Sequence, residues 1–180
     1  LYQFALMGNV VAREIKGISS PKVALLNIGE EEIKGHEMIK EASLLLEESS
    51  INYVGYLEGN DIVENKADVI VTDGFTGNIA IKAMEGTIEL MTSVLKQSLI
   101  DESNDESASG GSKYALDIFK SSIDPRKHNG AFLVGLNGIV IKSHGSSDSY
   151  GYYHAILTAV NEVKKEIIPK LVDTFKEDRS

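Results

Sequence analysis

The chain of 180 residues contains no cysteine. That absence excludes disulfides, thiolate metal sites and a cysteine nucleophile, and it fits a reducing cytoplasm. Basic residues are scarce: 18 Lys and Arg stand against 27 Asp and Glu, a formal net charge of -9. A general nucleic-acid surface is thereby disfavoured, because phosphate backbones are held by clustered cations. An anionic substrate must instead be bound by local geometry. No apolar run reaches the roughly 18 to 20 residues that cross a bilayer, and no segment has the layout of a signal peptide. No G-x-G-x-x-G follows a strand-like run, which disfavours a nucleotide-binding dehydrogenase. His36, His128 and His154 show no metal-ligand spacing with one another or with a carboxylate pair, so neither a metal nor another cofactor is expected.

What is present points to one α/β domain over residues 1–180. With 42% hydrophobic residues the chain can bury one core, and it is short for two ordinary domains plus a linker. It starts at Leu1, inside an apolar helix-like pattern, and is expected to be part of a longer chain. Leu1 to Ile15 reads as a mostly buried helix stopped at Gly17. Val23 to Ile28 is a continuous apolar run, the pattern of a strand covered on both faces. A helical stripe over His36 to Glu48 carries Met38, Ile39, Ala42, Leu45 and Leu46. Strands are expected at Ile51 to Val54 and Asp68 to Val71, with a helical turn at Asp61 to Asn65 between them. Thr76 to Leu99 reads as a long helix. Strands separated by helices favour parallel pairing with right-handed crossovers. The segment 101–112, rich in Asp, Glu, Ser and Gly, has too little apolar surface to offset its ordering entropy and is expected to be a mobile excursion. A short helix at Tyr114 to Phe119 follows, then a hairpin of Phe132 to Leu136 and Ile139 to Ile141 around Asn137-Gly138. A last helix runs from Asp148 to Ile168 and is stopped by Pro169.

Three strand-to-helix loops carry the chemistry. In "VIVTDGFTGN" (69–78) the chain crosses from a buried strand into a helix, where backbone N–H groups lack intrahelical partners and the dipole is positive. Gly74 and Gly77 let the backbone approach a ligand, Phe75 and Thr76 sit between them, and Lys82 can add a full charge. The plainer reading is that Asp73 caps the helix and the glycines relieve strain. In "KSHGSSD" (142–148) Lys142, the amides around Gly145 and the hydroxyls of Ser146 and Ser147 can surround a phosphate. The plainer reading makes Ser147 or Asp148 an N-cap and His144 a satisfied loop histidine. A Ser-His hydrolase is disfavoured, because the G-x-S-x-G elbow is missing: Ser149 stands where its second glycine would fall. The third loop, "NIGEEEIKG" (27–35), offers Asn27 and Glu30. Its glutamates would repel a phosphate, so it would orient a cation or amide, unless it is only a solvated helix start. Loops of this kind rim a cleft at the carboxyl ends of parallel strands.

"VALLNIGEEEIKG", "ADVIVTDGFTGN" and "NGIVIKSHGSSD" resemble three signature segments of the bacterial PlsX family, the phosphate acyltransferases of phospholipid synthesis. The resemblance covers most of residues 1–155 and matches the C-terminal half of such proteins. It implies a Rossmann-like α/β/α sandwich with a mainly parallel sheet, related to phosphotransacetylase and isocitrate dehydrogenase-like folds. It also implies transfer of a fatty acyl group from acyl carrier protein to inorganic phosphate. Cytoplasmic location, a homodimer and peripheral contact with the inner face of the membrane would follow. The acidic stretch with Asp101, Glu102, Asp105 and Glu106 would weaken that membrane contact. "HNGAFLVGLNG" departs from the family's usual Tyr-Gly-Gly-Ala-Pro pattern. On this reading Asn78, Lys142 and the loop amides stabilise phosphate and oxyanion, His144 protonates the leaving sulfur, and Asp73 orients Lys142 or His144 unless it caps the helix. Two alternatives remain: transfer from acyl-coenzyme A, as in phosphotransacetylase, and a non-catalytic half that dimerises or binds a partner. The homodimer is expected through Ile88, Met91 and Leu95, which share one face of the long helix, although that face can equally lie on its own sheet.

Overall fold

A computed structural model describes residues 1–31, 33–102 and 109–178. In chain order the elements are α1 (Tyr2–Lys16), β1 (Val23–Leu26), α2 (Glu37–Glu47), β2 (Tyr53–Leu57), a 3-10 turn (Gly59–Val63), β3 (Val69–Val71), α3 (Gly74–Glu102), α4 (Ser109–Ser122), a 3-10 turn (Pro125–His128), β4 (Ala131–Phe132), β5 (Ile141–Lys142), α5 (Ser149–Lys164) and α6 (Ile167–Glu177). β1 is central in a three-stranded sheet of order β2-β1-β3, and both of its neighbours run parallel to it. Its four apolar residues are all buried, so both faces of this strand are covered. The result is a mixed α/β structure, a parallel sheet flanked by helices, consistent with a Rossmann-like α/β/α fold.

α1 joins two clusters. Ala5 packs with Val23 and Leu25 of β1, Ala42 and Leu46 of α2 and Val71 of β3, so α1 and α2 share one face of the sheet. Five residues later Val10 packs with Ile167 and Leu171 of α6, next to Phe132, Val134 and Ile139. The helix approaches the sheet closely at Gly8, where a Cβ would come within 2.6 Å of Val69 Cγ1. Gly17, with φ 72, ends α1 and returns its N–H to the Ala12 carbonyl.

Several boundaries differ from expectation for physical reasons. β2 lies at Tyr53–Leu57 rather than 51–54, because Gly55 adopts φ 91 and absorbs a bulge opposite β1, after which pairing resumes at Tyr56. β4 and β5 do pair antiparallel, but each is two residues long. Asn137-Gly138 is not a tight turn: the positive φ of this stretch, 94, falls on Gly135. Pro169 does not stop the last helix. The break falls at Glu166, a left-handed residue with φ 52, and Pro169 sits in the first turn of α6, where its missing N–H leaves no bond unmade. The expected mobile excursion is flanked by helix on both sides, α3 running to Glu102 and α4 starting at Ser109. Its centre, 103–108, lies outside the described residues.

Candidate functional site

β1 and β3 are adjacent and parallel, so the loops that follow them leave the same carboxyl edge. Asp73 is the N-cap of α3. Its Oδ1 accepts the amides of Phe75 and Thr76, each at 2.9 Å, and its carbonyl accepts from Gly77 N at 3.0 Å. Bonds from Thr76 and Phe75 hold its carboxyl below the ordinary range. The plainer reading therefore describes Asp73, and two of the amides expected to face an anion are already bonded to it. Gly77 is packed against Thr72, whose Cγ2 would lie 2.8 Å from an added Cβ. Gly74 is different: a Cβ there would meet nothing within 4 Å, and its φ is not positive, so the protein's own packing does not demand glycine. Phe75 is 78% exposed at the helix entrance. The Asn78 side chain is exposed and makes no hydrogen bond with any described residue. One turn on, Lys82 Nζ is paired with Glu85 Oε2 at 2.6 Å, which offsets much of the charge expected from it.

The KSHGSSD loop belongs to a different sheet, the β4–β5 pair, so the carboxyl-edge argument covers only the loops after β1 and β3. The Glu85 carboxyl is held low first by its hydrogen bond from Lys82. Within the loop, Ser146 N donates to His144 Nδ1 at 3.3 Å and Ser146 Oγ lies 2.7 Å from the same nitrogen. A backbone N–H can only donate, so Nδ1 is the acceptor and the proton of the neutral ring sits on Nε2. Lys142 is exposed and forms no ion pair among the described residues. A Cβ on Gly145 would meet open space. Asp148 caps α5 by accepting from Gly151 N at 2.8 Å.

Asn27 and Glu30 have different surroundings. Asn27 is buried, its Nδ2 donates to the Lys34 carbonyl at 3.2 Å and its Oδ1 accepts from Ile28 N at 2.9 Å, so its amide closes its own loop. Gly35, with φ 90, is needed there, because a Cβ would lie 2.1 Å from Asn27 Oδ1. Glu30 lines a cavity of about 450 Å³ with Ser43, Glu47, Tyr56 and Lys66, on the β2 side of the sheet, the far side of β1 from β3.

Two residues not anticipated from sequence organise the KSHGSSD loop. Asn129 donates through Nδ2 toward Ser143 Oγ at 2.8 Å, Ser147 Oγ at 2.9 Å and the Gly151 carbonyl at 2.9 Å, and its Oδ1 accepts from His144 N at 2.9 Å. Arg126 bonds Asp124 at 2.7 Å and Asp148 at 2.9 Å, and its guanidinium carbon lies 5.4 Å from the Tyr150 ring centroid. An Asn before Gly reads as an ordinary turn residue. Only the fold shows what its amide reaches.

A family model described as fatty acid synthesis protein matches residues 1–170. A protein named phosphate acyltransferase from Nitrosococcus oceani is 48% identical over 167 residues, covering 93% of this chain and 49% of the relative. One of the same name from Alkalilimnicola ehrlichii is 46% identical over 173 residues, 96% of this chain and 50% of the relative. Another, from Magnetococcus marinus, is 41% identical over 186 residues, with coverages of 100% and 53%. The chain spans about half the length of the curated relatives it matches, and over that span, from α1 through the hairpin into α6, it belongs to the fatty acid synthesis protein (PlsX) family.

Proposed function

We propose that this chain is the C-terminal half of a phosphate acyltransferase that moves a fatty acyl group from acyl carrier protein to inorganic phosphate in phospholipid synthesis. The observation that carries the reading is the similarity to proteins of that name over 93% to 100% of the chain. The roles that follow are our reading of the site geometry. A phosphate oxygen attacks the thioester carbonyl carbon, a C–O bond forms, and the carbonyl oxygen becomes an oxyanion. Collapse breaks the C–S bond and releases the carrier thiolate, which takes up the proton that the attacking hydrogen phosphate gives up as the acyl phosphate forms. Phosphate is already anionic at neutral pH and needs no covalent relay through the enzyme. The protein's task is alignment and charge stabilisation.

Lys142, unpaired among the described residues, and the free Asn78 amide are the donors for phosphate and oxyanion. Nε2–H of His144 is the ring nitrogen left to face the departing sulfur. Ser146 orients that ring. Gly74 and Gly145 leave room for the substrate to approach the backbone.

We also propose a homodimer through α3, whose Ile88, Met91 and Leu95 are 40%, 50% and 37% exposed on a helix that contributes little to the core of its own chain. No helix of the described residues is long and apolar enough to cross a membrane. The proposed setting is the cytoplasm, with peripheral contact at the inner membrane face. The direct test is phosphate-dependent release of carrier thiol by the full-length protein, assayed with acyl carrier protein and coenzyme A thioesters side by side. Release that is independent of phosphate, or faster from coenzyme A, would overturn the assignment.

A further inference from the structure

Asn129 holds more of the KSHGSSD loop than any other side chain described. Its orientation is unambiguous. Oδ1 must face the His144 N–H, a donor, and Nδ2 must face the Gly151 carbonyl, an acceptor. Reversing the amide would set two donors against each other at one end and two acceptors at the other. Nδ2 is therefore the atom that meets Ser143 Oγ at 2.8 Å and Ser147 Oγ at 2.9 Å.

An amide NH₂ group donates and does not accept. Neither serine hydroxyl can spend its hydrogen on Asn129; each can only accept from it. Both serines are half-buried, and neither donates to another described group. Their hydrogens are free, because Nδ2, whose two hydrogens are shared among the two hydroxyls and the Gly151 carbonyl, has no lone pair to receive them. Ser146 differs: its hydroxyl faces the acceptor nitrogen of His144 and is occupied there.

We infer that Asn129 is the positioning residue of the phosphate site, fixing Ser143 and Ser147 with their hydroxyl hydrogens free to donate to the phosphate oxygens. The inference rests on the phosphate reading of this loop given above. It divides the serines of the loop by role: Ser143 and Ser147 bind the anion, and Ser146 sets the His144 tautomer.

Asn129→Asp tests it in the full-length protein. The carboxylate has nearly the same shape and can still accept from His144 N, but it now accepts from the two hydroxyls and turns their hydrogens inward. The expected result is a rise in the KM for inorganic phosphate of about tenfold or more, with the KM for the acyl thioester within about twofold of wild type. Added charge alone would also raise the phosphate KM, so Ser147→Ala is combined with it in a double-mutant cycle. If the hydroxyl has already been turned away, Ser147→Ala costs clearly less in the Asn129→Asp background than in wild type. Additive effects, or an unchanged phosphate KM in folded Asn129→Asp, would overturn the inference. Should that variant fail to fold, Ser143→Ala and Ser147→Ala made separately decide: each must raise the phosphate KM, and two unchanged values would reject the assignment. Wild-type protein lacking any phosphate-dependent release would instead count against the proposed function itself.

Discussion

Arg126 and Asp148, 22 residues apart in sequence, meet at 2.9 Å and tie the turn before the hairpin to the first turn of α5. The same guanidinium grips Asp124, so one cation fastens two carboxylates at the corner where the serine loop begins and ends. Because the pairs are exposed, their contribution to stability is small and screened by salt. Arg126→Ala should lower the melting temperature by no more than about 2 °C. A larger drop that persists in high salt would show that packing on Tyr150 matters more than charge.

This corner should weaken in acid. Arg126 holds Asp124 down at about 2, from an ordinary 3.8. Asp148 is also lowered, first by the Gly151 amide and then by Arg126. A depressed folded value means the stabilisation is complete above the unfolded value and is lost as pH falls from about 4 toward about 2. Denaturation midpoints of wild type and Asp124→Asn should therefore differ at pH 5 and converge by pH 2. A constant difference across that range would contradict the attribution.

The catalytic reading gives a contrast in turnover. Asn78→Ala and Lys142→Ala should fold normally, and each should lose about 10² to 10³ in phosphate-dependent acyl transfer, the scale of a missing oxyanion donor. Near-normal turnover in both variants would leave the α3 entrance as a helix start and nothing more.

Pairing with Glu85 makes the Lys82 prediction two-sided. Lys82→Ala should raise the phosphate KM with little change in kcat, and Glu85→Gln should lower it by releasing the lysine's charge. If both substitutions move KM the same way, the pair acts through local structure rather than through its field.

Core packing separates neighbours on α2. Leu46 is fully buried, whereas Leu44 is 63% exposed. Leu46→Ala should cost about 2 to 5 kcal/mol and Leu44→Ala less than about 0.5 kcal/mol, read from denaturant midpoints at constant m-value.

The parts of this structure legible in the sequence are those set by neighbours along the chain. The continuous apolar run at Val23–Leu26 announces a strand buried on both faces, and Gly17 announces the end of α1. The helix after Asp73 is visible for the same reason, although only the fold shows that the Asp73 carboxylate takes the amides that an anion would use. Residues that act across distance left no such signal. Asn129 works on partners 14 to 22 residues away, and nothing local distinguishes it from a turn residue. The Leu45 position in the α2 stripe is half exposed because sequence spacing gives a face but not how much of it is covered. Pro169 misled because proline both ends helices and begins them, and Glu166 had already made the break.

α1 carries a consequence for how the molecule comes apart. Ala5 belongs to the sheet cluster and Val10 to the cluster of α6 and the hairpin, and Gly8 between them rests against Val69. Neither cluster can open while α1 stays in place without stripping one side of a helix that the other still needs. The parallel sheet and the serine loop should therefore unfold as one cooperative unit, with the amides around Leu6 to Val10 among the slowest to exchange with solvent. A ligand held at the loop would then slow exchange in β1 as well, through a helix that never touches it.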